Sequence, residues 1–148
     1  MLFVRSVEKK YMIGFDLGNE SAQMSYSIQA SEPETLSLAE GREEYDIPTA
    51  LLKKKAENIW IMGSEAIRAA AEDGGALVME LLDQALYENE VTVDGETSEP
   101  WVLLSLFINK CLSLLFEKIP KTQVGAMMIT SKRMDPDMVA VMEKVQER

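Results

Sequence analysis

The stretch Ile13-Gly14-Phe15-Asp16-Leu17-Gly18-Asn19-Glu20-Ser21 decides how this 148-residue chain is read. Tyr11 to Phe15 is a short apolar run, the signature of a buried strand, and Ala22 to Ile28 alternates apolar with polar residues as a half-buried strand does. Between them lie Gly18 and Asn19, residues that tolerate positive φ, so the two strands are expected to close as a tight hairpin. A carboxylate at the end of a strand, followed at once by a glycine turn, suits one chemical task. Backbone N–H groups of the turn can face a phosphate, and Gly18 lets that phosphate approach without a Cβ in the way. Asp16 can hold a hydrated Mg²⁺, which keeps most of its waters and takes one or two carboxylates plus phosphate oxygens. The same D-x-G pattern also occurs where Asp only caps backbone amides, and nine residues leave both readings open.

Outward from the hairpin, the remaining segments read as a mixed α/β domain. Short extended runs are expected at Thr35–Ala39, Thr49–Lys53 and Asn58–Met62, with an acidic turn at Glu40–Asp46. Ser64 opens the alanine-rich SEAIRAAAED helix, and Gly74-Gly75 stops it. Ala76–Tyr87 reads as helical, and Val91–Val93 as a strand turned by Asp94-Gly95. Glu99-Pro100 leads into Trp101–Phe116, a long apolar helix closed by Pro120. Its Ser105, Asn109, Ser113 and Glu117 recur every four positions as one polar stripe. Val124–Thr130 reads as a buried strand by its continuous apolarity. Asp135-Pro136 caps a last helix whose face of Met138, Val139, Val141, Met142 and Val145 lacks an obvious partner. That helix runs to the end of the sequence without a stop signal, so a continuation is expected.

Composition removes several classes of function. With 15 basic and 25 acidic side chains the formal charge is −10, which opposes a phosphate backbone, so no nucleic acid is expected. The basic run Lys53-Lys54-Lys55 carries no interleaved aromatics. The absence of histidine removes Ser-His and Cys-His nucleophile pairs and imidazole-ligated metals. A single cysteine, Cys111, forms no intrachain disulfide, fits a cytoplasmic protein, and reads as an inert core thiol in its apolar helix. No secretory leader and no bilayer-spanning segment is expected, since Trp101–Phe116 is too short and is interrupted by Asn109 and Lys110. The two tryptophans and ten methionines read chiefly as core filling.

IGFDLGNES resembles the first phosphate loop of the actin-like ATPase superfamily, which reads I-G-I-D-L-G-T-T-x-S in the 70-kilodalton heat-shock chaperones. Three further segments are similar in the same order: DIPTALLKKKAENIWIMGSEAIRAA, VTVDGETSEPWVLLSLFINKCLSLLFEKI, and VGAMMITSKRMDPDMVAVMEKVQE. The resemblance implies the N-terminal lobe of such an ATPase. Its ribonuclease-H-like core would take residues 1–44 and 101–148, with a small inserted subdomain at 45–100. It implies ATP or ADP with Mg²⁺, a site at Asp16, Gly18, Asn19, Glu20 and Ser21, and Mg²⁺ held by Asp16 through water. A second lobe, outside this chain, would complete the nucleotide cleft, and the chain alone would be inactive. The departures are specific. The two hydroxyl residues after D-L-G become Asn19 and Glu20, and Glu20 sets a like charge toward the γ-phosphate. No lysine lies between Lys55 and Lys110, where Arg68 is the sole cation, and the V-P-A-Y-F segment becomes Ile129-Thr130-Ser131-Lys132-Arg133. These losses weaken hydrolysis more than binding. They leave an alternative, an actin-like fold kept as a non-catalytic scaffold for a protein partner or a second copy of itself. A nuclease of the same core fold would need further carboxylates beside Asp16.

Overall fold

In the computed structural model, residues 10–28, 32–37, 45–54, 57–132 and 135–146 are described. Ala39, Glu40, Glu43, Glu44, Lys55 and Arg133 lie outside them, as do residues 1–9.

β1 (Tyr11–Leu17) and β2 (Ser21–Ile28) form the expected antiparallel hairpin, in register from Tyr11 opposite Ile28 to Leu17 opposite Ala22. The strand thus continues past the apolar run through Asp16 and Leu17. A two-residue strand, β3 (Glu34–Thr35), adds to β2, and β4 (Ile47–Pro48) pairs with the first residues of β2. A later strand, β10 (Val124–Thr130), lies parallel to β1, which gives the order β10-β1-β2-β3. The chain is therefore α/β with a mixed sheet.

Strand geometry assigns the two faces. Successive side chains alternate, so Ile13, Phe15 and Leu17 point one way and Met12, Gly14 and Asp16 the other. The first set is buried, together with Ala22 and Met24 of β2, whereas Met12 is 52 % exposed. The covering layer is helical. It consists of α3 (Pro100–Phe116), α2 (Leu81–Tyr87) and α4 (Pro136–Gln146), with Leu104, Phe107, Cys111, Leu115 and Met138 fully buried. Burying one such large apolar side chain is worth about 1.5–3 kcal/mol.

Between β4 and α3 the chain builds a second sheet. β5 (Leu51–Lys53) sits in the middle, flanked by β6 (Trp60–Met62) and β7 (Ala76–Val78), with α1 (Ser64–Asp73) packed on all three. A hairpin of β8 (Val91–Val93) and β9 (Glu96–Ser98) follows. It turns through Asp94 at φ 52° and Gly95 at φ 80°, the left-handed backbone its Asp-Gly pair favours.

Several expectations are corrected here. Ala76–Val78 is a strand, because the free edge of β5 offers backbone partners that outweigh the helical preference of a short segment. Of Thr35–Ala39 only Thr35 lies in a strand, β3, among the described residues, and Leu38 and Ala39 lie outside them. Gly63, not Ser64, stands at the N-cap of α1, where φ is 71°. The polar stripe of α3 fails at Ser105, which is 1 % exposed with its hydroxyl unpaired among the described residues. Four residues turn a helix about 400°, so a four-residue repeat drifts by about 40° per step, and Ser105 and Glu117 end on different faces. The apolar face of α4 has its partner in this chain: α4 packs on α3 and α2, burying Met138 and Val145. What stands open instead is β10. It is the sheet's edge, with Met127 42 % and Met128 63 % exposed. Continuous apolarity identified a strand but could not place it in the interior.

Candidate functional site

Asp16 lies on the face of the sheet that the helices leave uncovered, and it is exposed. Register sets Thr130 of β10 on one side of it and Gln23 of β2 on the other. One step back, Gly14 lies opposite Ser25, which in turn pairs with Thr35. These residues line a hollow of about 290 Å³. A Cβ at Gly14 would come within 2.7 Å of the Ser25 hydroxyl, which would have to rotate away to admit it. The Thr130 hydroxyl donates to Asp16 Oδ1 at 3.1 Å, and Gln23 Nε2 donates to Asp46 Oδ1 at 2.7 Å. Asp16 is thus held from one side, with its other oxygen lacking a partner among the described residues.

The hairpin turn is tight, but not in the expected way. Gly18 N–H donates to the Ser21 carbonyl at 3.0 Å, which closes the turn. Neither Gly18 nor Asn19 adopts positive φ. Glycine is needed at 18 for space, since a Cβ would meet the Ser21 carbonyl oxygen at 2.6 Å. Thr49 clamps the turn from below. Its hydroxyl donates to the Gly18 carbonyl at 2.8 Å, and its N–H to the Glu20 carbonyl at 3.0 Å. Thr49 is fully buried, a position the sequence did not single out. The N–H groups of Asn19 and Glu20 have no partner among the described residues.

The Asn19 side chain is engaged. Its Oδ1 accepts the Asp83 N–H at 3.0 Å, and its Nδ2 donates to Asp83 Oδ2 at 3.1 Å. Asp83 is the third residue of α2, and the helix's own N-cap, Glu80, gives no side-chain cap and sits at φ 54°. Asn19 therefore supplies from the hairpin the cap that α2 lacks locally. A phosphate-binding role for this side chain competes with that. Glu20 is exposed, and Ser21 opens β2.

The cationic residues fall elsewhere. Lys53, first of the basic run, is buried and pairs with Asp94 at 3.2 Å, so its charge is spent inside the fold. Arg68 on α1 faces Glu65 at 3.6 Å. Cys111 is fully buried, and burial pushes its thiol up to about 12, which leaves it protonated and inert. The Tyr26 phenol is raised by its 2.7 Å hydrogen bond to Glu34, and further by burial.

A hydrated Mg²⁺ needs few protein ligands, and the donors here fit that demand. Asp16 offers one carboxylate, and among the described residues no three Asp, Glu, Cys or His side chains cluster to cage an ion. The same observation leaves no two-metal nuclease centre there. Among the described residues no helix is long and apolar enough to cross a membrane. The search of curated proteins found no match to this chain. A family match begins at residue 32, after the β1–β2 hairpin, and runs to residue 148. Covering most of the sequence, it shows that the chain belongs to the family described as "Family of unknown function (DUF5716) C-terminal".

Proposed function

We propose that this chain is a nucleotide-phosphate-binding lobe of the actin-like, ribonuclease-H-like kind, taking Mg·ATP or Mg·ADP at the Asp16 end of its sheet. The observation that carries the reading is local. Two turn amides without a partner among the described residues, those of Asn19 and Glu20, follow within four residues an exposed strand-end carboxylate, one oxygen of which has no partner among those residues. The sheet order supports it, because the parallel strand β10 brings Thr130 against Asp16. Gly18 keeps the approach open, Thr49 and Asn19 fix the turn, and Asp16 would orient the water shell of Mg²⁺, whose charge would offset that of the phosphates. Glu20 opposes the phosphate: two unit charges at ~4 Å and an effective dielectric of ~20 repel by ~4 kcal/mol before solvent and metal relieve them. Binding without efficient hydrolysis follows, with a second ATPase lobe as the partner that closes the cleft.

The test is a titration of the chain with Mg·ATP at millimolar concentration, following the backbone amide resonances of Asn19 and Glu20. Both should move only with Mg²⁺ present and should stop moving in Asp16→Ala. Thr130→Val, which removes only the hydroxyl, should retain the response. Movement unaffected by Asp16→Ala, or none at all, would sink the proposal.

One observation favours a second reading, the non-catalytic scaffold: the open β10 edge with its exposed Met127 and Met128. On that reading nucleotide has no effect, and sedimentation shows a concentration-dependent assembly that Met128→Lys abolishes.

A further inference from the structure

A cavity of about 650 Å³ lies away from Asp16 and shares no residue with the hollow there. It lies between the second sheet with α1 and the C-terminal half of α3, and its size falls within the ~300–1,000 Å³ usual for small-molecule sites. Its apolar wall is Trp60, Met62 and Leu114, all half-buried. Its polar wall holds Arg68 and Lys110, far apart in sequence and brought to one cavity only by the packing of α1 near α3.

Two features of this wall point to an anion. Lys110 is half-buried yet has no hydrogen-bond or ion-pair partner among the described residues. An ammonium without a partner, standing beside an apolar wall, gains from a counter-ion. The Trp60 indole N–H is likewise unpaired among the described residues, which leaves a second donor on the lining. Arg68 is held only loosely by Glu65 at 3.6 Å, both being well exposed, so its guanidinium is available. In a chain of charge −10, this apolar-backed lining holds two cations, Arg68 and Lys110, against one carboxylate, Glu65.

We infer that this cavity binds a small organic anion, its carboxylate, phosphate or sulfonate head on Lys110 and Arg68 and its aromatic or aliphatic body against Trp60, Met62 and Leu114. The site is independent of the nucleotide reading. It is tested on the 148-residue chain with two probes that differ only in charge. One is 8-anilinonaphthalene-1-sulfonate; the other is N-phenyl-1-naphthylamine, the same body without the sulfonate. The anionic probe should bind saturably, one per chain, and at least tenfold tighter than the neutral one. The double variant Arg68→Gln/Lys110→Gln should lower its affinity at least tenfold and leave the neutral probe unchanged. Glu65→Gln, which frees Arg68 from its competing carboxylate, should tighten the anionic probe by a few fold, a gain that no loss of folding can mimic. Equal affinity of the two probes, an unaltered double variant, or anionic-probe binding that follows Met127→Ser/Met128→Ser instead would each overturn the inference.

Discussion

Replacing Asn19 by alanine isolates the contact between the hairpin and helix α2. The substitution removes two hydrogen bonds to Asp83, at 3.0 Å and 3.1 Å, both on the surface. Losing a side-chain cap costs about 1 kcal/mol, within a range of about 0.5–2. The exposed bond from Nδ2 to the Asp83 carboxylate adds a few tenths, so Asn19→Ala should cost about 1–1.5 kcal/mol. In a chain of this length about 2–4 °C of melting temperature follows each kcal/mol, which gives a drop of about 2–6 °C. Asn19→Asp should cost more at low salt. It keeps the acceptor for the Asp83 N–H but sets two carboxylates where a donor met an acceptor, and screening should recover part of the loss. The informative variant is the exchange Asn19→Asp with Asp83→Asn. An amide at 83 then donates to a carboxylate at 19, both hydrogen bonds return, and stability should lie within ~0.5 kcal/mol of the parent. Urea and thermal unfolding measure all four proteins. An exchanged pair no more stable than Asn19→Asp alone would show that the side chains at 19 and 83 do not pair, and an Asn19→Ala protein as stable as the parent would show that Asn19 does not cap α2 and would return its side chain to the candidate phosphate ligands.

Three other outcomes are expected. Asp94→Asn preserves the left-handed turn, which asparagine also tolerates, but leaves the buried Lys53 ammonium without its counter-ion, so it should destabilise by about 1–3 kcal/mol. Lys53→Met leaves only a half-exposed carboxylate and should cost less than 1 kcal/mol in the same urea titration, about the worth of a solvated pair. Gly18→Ala forces a Cβ to 2.6 Å from the Ser21 carbonyl oxygen and should destabilise by about 1–3 kcal/mol, read from thermal unfolding. Cys111 should resist Ellman's reagent until the chain unfolds. Its thiol is raised from 9.0 to about 12, so the folded state holds the proton more tightly. The stability this confers is complete below pH 9 and lost between pH 9 and about 12. Melting temperature measured across that window should fall less steeply in Cys111→Ala.

The sequence by itself determined every feature whose cause is local. The Asp94-Gly95 turn, the Gly74-Gly75 stop and the Pro100 helix start follow from backbone freedom or its loss at single residues, and the hairpin around Gly18 from the space that a missing Cβ leaves. The last helix is capped as expected, with the Met138 N–H on Asp135 Oδ1 at 3.0 Å. Tertiary structure alone decided what depends on distant partners. Ala76–Val78 became a strand because β5 offered an edge, and β10 stayed exposed because a strand's burial is set by its neighbours rather than its own hydropathy. The same holds at the site. Asp16 was legible from its place at the end of an apolar run. The engagement of Asn19 with Asp83, the Thr49 clamp and the meeting of Arg68 with Lys110 at one cavity were not. Each joins residues far apart in the chain, and no local periodicity or turn chemistry encodes a distance that only packing creates.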